Sequence, residues 1–304
     1  MNEKIIKENY ISYMNIEYSR SVKPLLMDII SPVDCNELRP AVIYLHGGGW
    51  GNGSKDNYGG HVWNLAMADL GMVAVSINYT LKREAIFPQQ IIDIKEAIRF
   101  LRTNGKQYGI DGDKIAIWGH SSGAHLAMLA ALSGDHSKWE NETSSIVQAC
   151  ASVAGAIDLY EAIKDGDGAA ARLFGKEIET IDEIKDLVDL ANPLHYVTSS
   201  MPPTMIVHGE DDLFVPIKHS QRLHDAIPES IFLKVKDADH FMINGDLSMM
   251  NVARQIAIFF HGVFFDNNLN EIEINKNTYK KIKKKDDLND DFFNQYSELF
   301  KYYT

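Results

Sequence analysis

Short apolar runs alternate along this chain with longer segments whose apolar residues recur at helical spacing. Each short run is bounded by residues that favour turns, a pattern that predicts a buried strand. The predicted strands span residues 25–30, 41–46, 72–79, 114–119, 147–155, 204–209 and 230–237. Because strands that alternate with helices form mostly parallel sheets, the pattern predicts an α/β fold with one central sheet flanked by helices on both faces.

The longer segments predict helices. Residues 88–109 carry apolar side chains at helical spacing, and Pro88 in the first turn and Gly105 near the end are typical helix boundaries. Residues 122–132 are almost entirely apolar and predict a buried helix, and residues 249–264 predict a closing helix.

Two stretches differ from this alternation. Within a domain that we expect to span residues 1–265, residues 157–197 are helical in pattern but rich in charge, which predicts a small lid-like insertion beside the functional site. Residues 266–304 form a charged C-terminal extension in which aromatic residues recur at helical spacing. We expect a short amphipathic helix there that docks on the domain; the alternative is a tail that binds a partner or a membrane surface.

The balance of charges limits the kinds of partner that the protein is expected to bind. The chain has 42 acidic and 30 basic side chains, a formal net charge of -12 at pH 7. Such a surface repels phosphate backbones and anionic lipid headgroups, so we expect no nucleic-acid partner. The chain has no apolar run of membrane-spanning length and no signal-peptide pattern in its first twenty residues. We therefore expect a cytoplasmic protein without stable membrane insertion; a homo-oligomer is compatible with the sequence.

The cysteines predict no covalent framework. Cys35 and Cys150 are the only two, and they lie far apart without C-x-x-C spacing. Two reduced thiols are the expectation.

Candidate chemistry begins at Gly119-His120-Ser121-Ser122-Gly123. This G-x-S-x-G motif lies where a predicted strand meets a predicted helix, the context in which such a turn presents a serine hydroxyl outward. The flanking glycines fit that context, because side chains there would collide as the strand and the helix close on each other. Ser121 is therefore the candidate nucleophile; an ordinary glycine-rich turn is the alternative.

A serine hydroxyl needs a base within hydrogen-bonding distance and a third group that orients the base. The next-to-last predicted strand is followed by Glu210, Asp211 and Asp212, and the last by His240. Serine, acid and histidine is the chain order that a sheet wound strand by strand delivers. Asp212 is the favoured acid, and Asp211 is the alternative. Asp211 could instead stabilise the turn or cap the next helix.

Three successive glycines, Gly47, Gly48 and Gly49, follow another predicted strand. Backbone N–H groups that stabilise negative charge on a carbonyl oxygen must come within about 3 Å of it, and side chains would obstruct that approach. These glycines and the N–H of Ser122 are the candidate donors. A metal-binding role for His46 is the weaker interpretation, because no second histidine or cysteine stands at ligand spacing.

With these motifs the chain resembles the α/β-hydrolase superfamily. Within it, the chain is similar to the bacterial esterase/lipase group that includes acetylxylan and feruloyl esterase-like proteins and hormone-sensitive-lipase-like enzymes. The matching segments are residues 46–50, 76–88, 108–127, 208–216 and 237–242. The resemblance implies an α/β-hydrolase fold in which Ser121, Asp212 and His240 form a catalytic triad, with no metal and no cofactor.

The resemblance also implies an oxyanion hole formed by Gly48, Gly49 and Ser122. Relatives commonly have alanine where Ser122 stands. Because only the backbone N–H is used at that position, we expect catalysis to survive this difference.

The leading hypothesis is therefore a serine carboxylesterase that hydrolyses small uncharged esters through an acyl-enzyme. Esters with short acyl chains, including acetylated, aryl and sugar esters, are the candidate substrates. An aryl formamidase or another amide-type hydrolase would use the same triad and is the alternative. A non-catalytic small-molecule receptor on the same fold is a remote one.

Several aromatic side chains lie in segments that the resemblance places near the pocket. Trp50, Tyr58, Tyr79 and Phe241 are the candidates for substrate contact, with Trp63 beside them in the sequence. Their types suit either a planar or sugar-bearing leaving group or an ordinary apolar core.

Overall fold

A central sheet of nine strands organises the part of the chain that the structure describes. The structure is a computed structural model, and it describes residues 3–6, 9–33, 37–139, 141–164, 166, 168–175 and 181–266. The strands are β1 (Glu3–Ile6), β2 (Tyr10–Arg20), β3 (Pro24–Pro32), β4 (Arg39–Leu45), β5 (Val73–Ile77), β6 (Ile110–His120), β7 (Ala149–Val153), β8 (Thr204–Gly209) and β9 (Ile231–Val235).

The order of the strands across the sheet is β1-β2-β3-β5-β4-β6-β7-β8-β9. The pairings along β1, β2, β3 and β5 are antiparallel, and every pairing from β5 to β9 is parallel. The prediction of a mostly parallel sheet of the α/β-hydrolase type is confirmed. In sheets of this kind, ligands bind beyond the carboxyl ends of the strands.

The register brings those carboxyl ends level with one another. Leu45 in β4 pairs with Gly119 in β6, and His120 at the end of β6 pairs with Val153 in β7. Val153 pairs in turn with Val207 in β8. The loops that follow β4, β6, β8 and β9 therefore leave the sheet at the same edge, and these are the loops that carry the candidate site residues.

The described part of the chain contains eight α-helices, seven between strands and one after β9. They are α1 (Leu65–Asp69), α2 (Gln89–Asn104), α3 (Ser122–Ser133), α4 (Leu159–Lys164), α5 (Gly168–Arg172), α6 (Lys185–Ala191), α7 (Lys218–Ala226) and α8 (Met249–His261). Single π-helical turns occupy Gly59–Trp63 and Gly262–Asp266, and 3-10 turns occupy Gly105–Tyr108, Ile181–Ile184 and Pro193–Tyr196.

The sheet buries both of its faces. Along β4, Ile43 and Leu45 belong to one apolar core, while Val42 and Tyr44, which point to the opposite face, belong to a second one. Helices α2 and α3 pack on the first face, and α1 and α8 on the second. Because each fully buried leucine or isoleucine contributes about 1.5–3 kcal/mol, these two cores hold the strand ends in place.

Strands β1 and β2 are absent from the sequence prediction. In β2, the polar side chains of Asn15, Glu17 and Ser19 interrupt every apolar run, and most of the strand is only half buried. The pairing of β2 with β3 stabilises the strand through the backbone, which a search for apolar runs does not detect.

Within the stretch 157–197, the described residues form helices α4, α5 and α6 and 3-10 turns, between β7 and β8. Its side chains Leu173, Val188 and Ala191 are buried in the core of the first sheet face. The described part of this insertion is thus packed on the domain, and its role as a lid stays a prediction.

The structure describes only one of the two cysteines and only the first residue of the C-terminal extension. Cys150 is a free thiol, and burial raises its pKa to about 12. Cys35 and residues 267–304, with the predicted amphipathic helix, lie outside the described residues.

Among the described residues, the search for a helix with the length and apolar character to span a membrane finds none.

The turn from β6 into α3 brings two backbones into direct contact. A Cβ atom on Gly119 would lie 2.5 Å from the carbonyl carbon of Gly123, and one on Gly123 would lie 2.2 Å from the oxygen of Leu45 and 2.5 Å from that of His46. Neither position has room for a side chain, which accounts for both glycines of the motif.

We therefore expect Gly123→Ala to lower the free energy of unfolding by about 1–3 kcal/mol, because backbone rather than a flexible side chain must move. Gly168→Ala is the matched control: its Cβ would meet only the mobile end of Arg172, and we expect a change within about 0.5 kcal/mol. Urea unfolding of both variants provides the measurement. Equal stability of the two would contradict the packing described for this turn.

Candidate active site

Ser121 sits in the turn between β6 and α3 with a strained backbone. Its φ is 57° and its ψ -124°, values that few residues other than glycine adopt. The Ser121 N–H donates to the Val153 oxygen (2.9 Å), and the Ser121 carbonyl accepts from the N–H of His125 (3.1 Å). Strain of this kind persists only where the surroundings impose it, and here it presents the hydroxyl beyond the sheet edge.

His240 follows β9 and is held by Asp212. Its Nδ1 lies 2.7 Å from Oδ2 of Asp212, and both side chains are buried. Because a carboxylate oxygen accepts, Nδ1 carries the proton, and Nε2 of a neutral His240 is left as an acceptor. This is the tautomer that a general base requires.

Asp212 is ionised by its surroundings. Burial raises the pKa of its carboxyl group, but hydrogen bonds from His208, His240 and the N–H of Val215 outweigh burial and hold that pKa well below its usual range. Its Oδ1 accepts from the N–H groups of Phe214 and Val215, each at 2.9 Å.

The structure separates the three acids that follow β8. Glu210 and Asp211 are exposed, whereas Asp212 is buried against His240. Asp211 contributes its N–H to the Ala238 oxygen at 2.9 Å and so stabilises the turn. Of the alternatives left open by the sequence, Asp212 is the one in contact with the histidine.

Ser121 and His240 line a common cavity of about 370 Å³. Its other lining residues are Tyr44, Gly47, Gly48, Gly49, Gly53, Asn57, Tyr58, Gly59, Trp63, His120, Phe214 and Phe241. The loops after β4, β6, β8 and β9 thus meet around a single space, as the register of the sheet requires.

The glycine loop comes close to Ser121. A Cβ atom on Gly47 would lie 3.2 Å from that of Ser121, and one on Gly48 would lie 2.3 Å from the oxygen of Asn52. Gly48 and Gly49 have φ values of 123° and 58°, in the region that favours glycine. Ser122 is the first residue of α3, so its N–H has no acceptor within the helix. The residue is buried beside Ser121 and is not among those that line the cavity.

Two of the four aromatic candidates take the core role that the sequence left open. Trp50 and Tyr79 are each only 1% exposed and do not line the cavity. The Trp50 indole N–H donates to Nδ1 of His125, whose Nε2 lies 2.8 Å from the Ala191 oxygen, and this chain of contacts joins the glycine loop to the helix after Ser121.

Tyr79 has a similar supporting position. Its hydroxyl donates to the His46 oxygen at 2.8 Å, and its ring stacks on the His46 ring with 4.3 Å between the centroids. The buried rings of Trp50 and Tyr79 thus pack against the glycine loop, and their burial stabilises the conformation of that loop. Tyr58 and Phe241, by contrast, are among the residues that line the cavity, and their contact with substrate stays a prediction.

His120 is a site residue that the sequence analysis missed. Its Nε2 donates to the His240 oxygen at 2.8 Å, and its ring centroid lies 4.7 Å from that of His240. Burial lowers the pKa of His120 to about 4, so that the ring is neutral at pH 7. It occupies a position of the motif that accepts many residue types, which is why no sequence signal marked it.

His46 is held by its own loop. Its Nδ1 lies 2.9 Å from the Gly47 oxygen, and burial lowers its pKa to about 4. The described residues contain one group with the spacing of metal ligands, which consists of Asp28, Asp56 and His61. The ammonium of Lys55 lies 2.7 Å from Oδ2 of Asp28 and 2.5 Å from Oδ1 of Asp56, so a side-chain cation already neutralises these carboxylates.

Comparison with known proteins gives consistent matches. The BD-FAE family model matches residues 27–227. Esterase LipQ of Mycobacterium tuberculosis is 34% identical over 71% of this chain and 52% of its own length, and esterase LipC of the same organism is 30% identical over 74% and 58%. The chain thus spans about half the length of the curated relatives it matches.

A solved structure matches over more of its length. A truncated form of a carbohydrate esterase from gut microbiota superposes with a TM-score of 0.74 and 26% identity. The match covers 86% of this chain and 99% of that one.

Three buried histidines near the site make stability depend on pH. Burial lowers the pKa values of His46, His120 and His125 from 6.5 to about 4. The unfolded chain therefore binds these protons near pH 6.5 and the folded chain only near pH 4. We expect the free energy of unfolding to fall as the pH drops through this window, by up to about 3 kcal/mol for each histidine.

Urea unfolding at several pH values between 4.5 and 7.5 measures this slope. His125→Gln removes one of these titrations and lowers the slope by about 1.4 kcal/mol per pH unit in the middle of the window. His136→Gln, which makes the same substitution at an exposed position, is the control. Equal slopes for the two variants would show that His125 is not buried as a neutral ring.

Proposed function

The chain belongs to the BD-FAE family of α/β-hydrolases, and on that premise we propose that it is a serine carboxylesterase that hydrolyses small uncharged esters. The single observation that carries this proposal is the shared cavity of Ser121, His240 and the glycine loop. The hydrogen bond from His240 to Asp212 supports it, because it keeps the proton of the neutral ring on Nδ1 and leaves Nε2 as the acceptor that a general base needs.

In the proposed acylation, Oγ of Ser121 attacks the ester carbonyl while Nε2 of His240 takes the hydroxyl proton. The carbonyl oxygen becomes an oxyanion that accepts from the backbone N–H groups of Gly48, Gly49 and Ser122. Collapse of this intermediate breaks the bond to the alcohol oxygen. The imidazolium gives its proton to the departing alcohol, and the acyl group stays on Ser121.

In the proposed deacylation, water takes the place of the alcohol. His240 removes a proton from the water as it attacks the acyl carbon, and the same N–H groups stabilise the second oxyanion. When the bond to Oγ breaks, the proton on His240 returns to Ser121 and the carboxylic acid leaves. Ionised Asp212 keeps the imidazole oriented and stabilises its positive charge throughout.

The wall of the cavity supports uncharged substrates. It consists of glycine backbone, five aromatic rings, two histidines, Asn57 and Ser121, and none of the lining residues among those described carries a carboxylate, an ammonium or a guanidinium. A charged substrate group would lose water there without gaining an ionic partner, which costs several kcal/mol.

We expect Ser121→Ala to lower kcat for p-nitrophenyl acetate by about four to six orders of magnitude. The neighbouring serine is the matched control: Ser122 is buried, and only its backbone N–H has a proposed role. Ser122→Ala should keep kcat within a few-fold of the original protein. Undiminished turnover in Ser121→Ala, with both variants folded by circular dichroism, would refute the proposal.

Discrimination against charge is a separate prediction. We expect kcat/KM for mono-p-nitrophenyl succinate to be at least about a hundredfold below that for p-nitrophenyl butyrate, because the free carboxylate would be desolvated without a partner. The two esters share a leaving group and have acyl chains of the same length, so the ratio isolates the charge. Comparable values would place a cation within reach of the acyl group.

A further inference from the structure

Asp212 faces two imidazoles. Its Oδ2 lies 2.7 Å from Nδ1 of His240 and 3.2 Å from Nε2 of His208. The side chains of Asp212 and His208 are both fully buried, so neither interacts with solvent. Ser121 and His240 account for the proposed reaction without His208, and its contact with the acid therefore needs a separate explanation.

The contacts of His208 define its tautomer. Its Nε2 lies 2.8 Å from the Val215 oxygen, and because a carbonyl only accepts, Nε2 carries the proton. In the neutral ring Nδ1 is then an acceptor, and it lies 2.7 Å from the hydroxyl of Ser220 in α7, which donates. The Nε2 proton is thus directed at the Val215 oxygen and at the acid together.

This one proton reaches both sides of the Asp212 carboxylate. It contacts Oδ2 directly, and through the Val215 oxygen it holds the loop whose N–H groups, those of Phe214 and Val215, bind Oδ1. His208 itself lies in strand β8. A residue of the central sheet therefore contacts the same carboxylate oxygen that His240 does.

We propose that His208 is a positioning residue for the reaction, which acts through Asp212 on His240. It keeps Oδ2 oriented towards Nδ1 of His240, and it withdraws part of the negative charge that Oδ2 presents to that ring. This inference rests on the proposed serine esterase function. Its alternative is a purely structural role, in which His208 only joins β8 to α7 through Ser220.

Amide side chains separate the two roles. Glutamine places its N–H₂ group near the position of Nε2 and so keeps a donor towards Asp212 and Val215. Asparagine places its amide near the position of Nδ1, within reach of Ser220, and loses the donor to Asp212. Ser220→Ala removes the contact with α7 and leaves the Nε2 proton of His208 in place.

The charged and titratable groups around these side chains are few among the described residues. His120 faces His240, with ring centroids 4.7 Å apart, and His219 on α7 interacts electrostatically with His208. Both are unchanged in the three variants, so a difference in pH dependence between the variants reports on the Asp212 contact.

The experiment compares the pH dependence of kcat for p-nitrophenyl acetate in the full chain and in His208→Gln, His208→Asn and Ser220→Ala. We expect His208→Asn to lower kcat about ten- to a hundredfold with little change in KM, the range for a lost hydrogen bond to a charged group. In this variant the midpoint of the fall in kcat at low pH should rise by about half a pH unit or more, because Oδ2 then attracts the proton on His240 more strongly. His208→Gln and Ser220→Ala should stay within about threefold and keep the original midpoint.

A second readout keeps the test independent of folding losses. In the Asp212→Asn background, His208→Asn should change kcat less than about threefold, because its effect passes through the carboxylate. Equal losses in the glutamine and asparagine variants with an unshifted midpoint, or a full additional loss in the Asp212→Asn background, would overturn the inference in favour of the structural role. Failure of the proposed function is distinguishable, since the original protein would then lack turnover that depends on Ser121.

Discussion

The contact between the end of β6 and the start of α3 is the constraint on which the rest of the site depends. With Gly119 and Gly123 touching through backbone atoms, the chain must reverse within one residue, and Ser121 takes up the strained conformation that results. The same contact starts α3 at Ser122, so that the first N–H groups of the helix have no acceptor within it. A single steric condition thus fixes the positions of both the proposed nucleophile and one of the proposed donors.

Buried hydrogen-bond partners hold the charged and polar groups of the site in place. The buried carboxylate of Asp212 is held by donors on both of its oxygens and faces His240, while the backbone of His240 is held in turn by His120. The glycine loop is held in a similar way. Trp50 donates a hydrogen bond to His125, and Tyr79 donates one to the His46 carbonyl. The groups proposed to react are thus each held by buried neighbours, and burial keeps His120 and His125 neutral.

Much of this arrangement was predictable from local pattern, and the exceptions share a cause. The strands that carry Ser121 and His240 read as apolar runs, and the glycines around Ser121 are dictated by local geometry. For Trp50 and Tyr79 the sequence leaves pocket and core open, because an aromatic side chain has the same appearance in a core as in a binding site. His120 gives no signal in the sequence, since its partner, the His240 oxygen, lies far along the chain. His208 lies only four residues from Asp212, but the sequence does not show that the turn after β8 brings the two side chains together. Strand β2 was missed for a related reason, because its stability comes from pairing with β3.

A crystal structure of the protein after reaction with a p-nitrophenyl phosphonate would show whether Ser121, His240 and the glycine loop surround one reacting group. We expect phosphorus bonded to Oγ of Ser121, with the phosphoryl oxygen within about 3 Å of the backbone nitrogens of Ser122 and the Gly48–Gly49 loop. We also expect Nε2 of His240 to face the position of the departed group. An adduct on another residue, or a phosphoryl oxygen turned away from those nitrogens, would contradict the account.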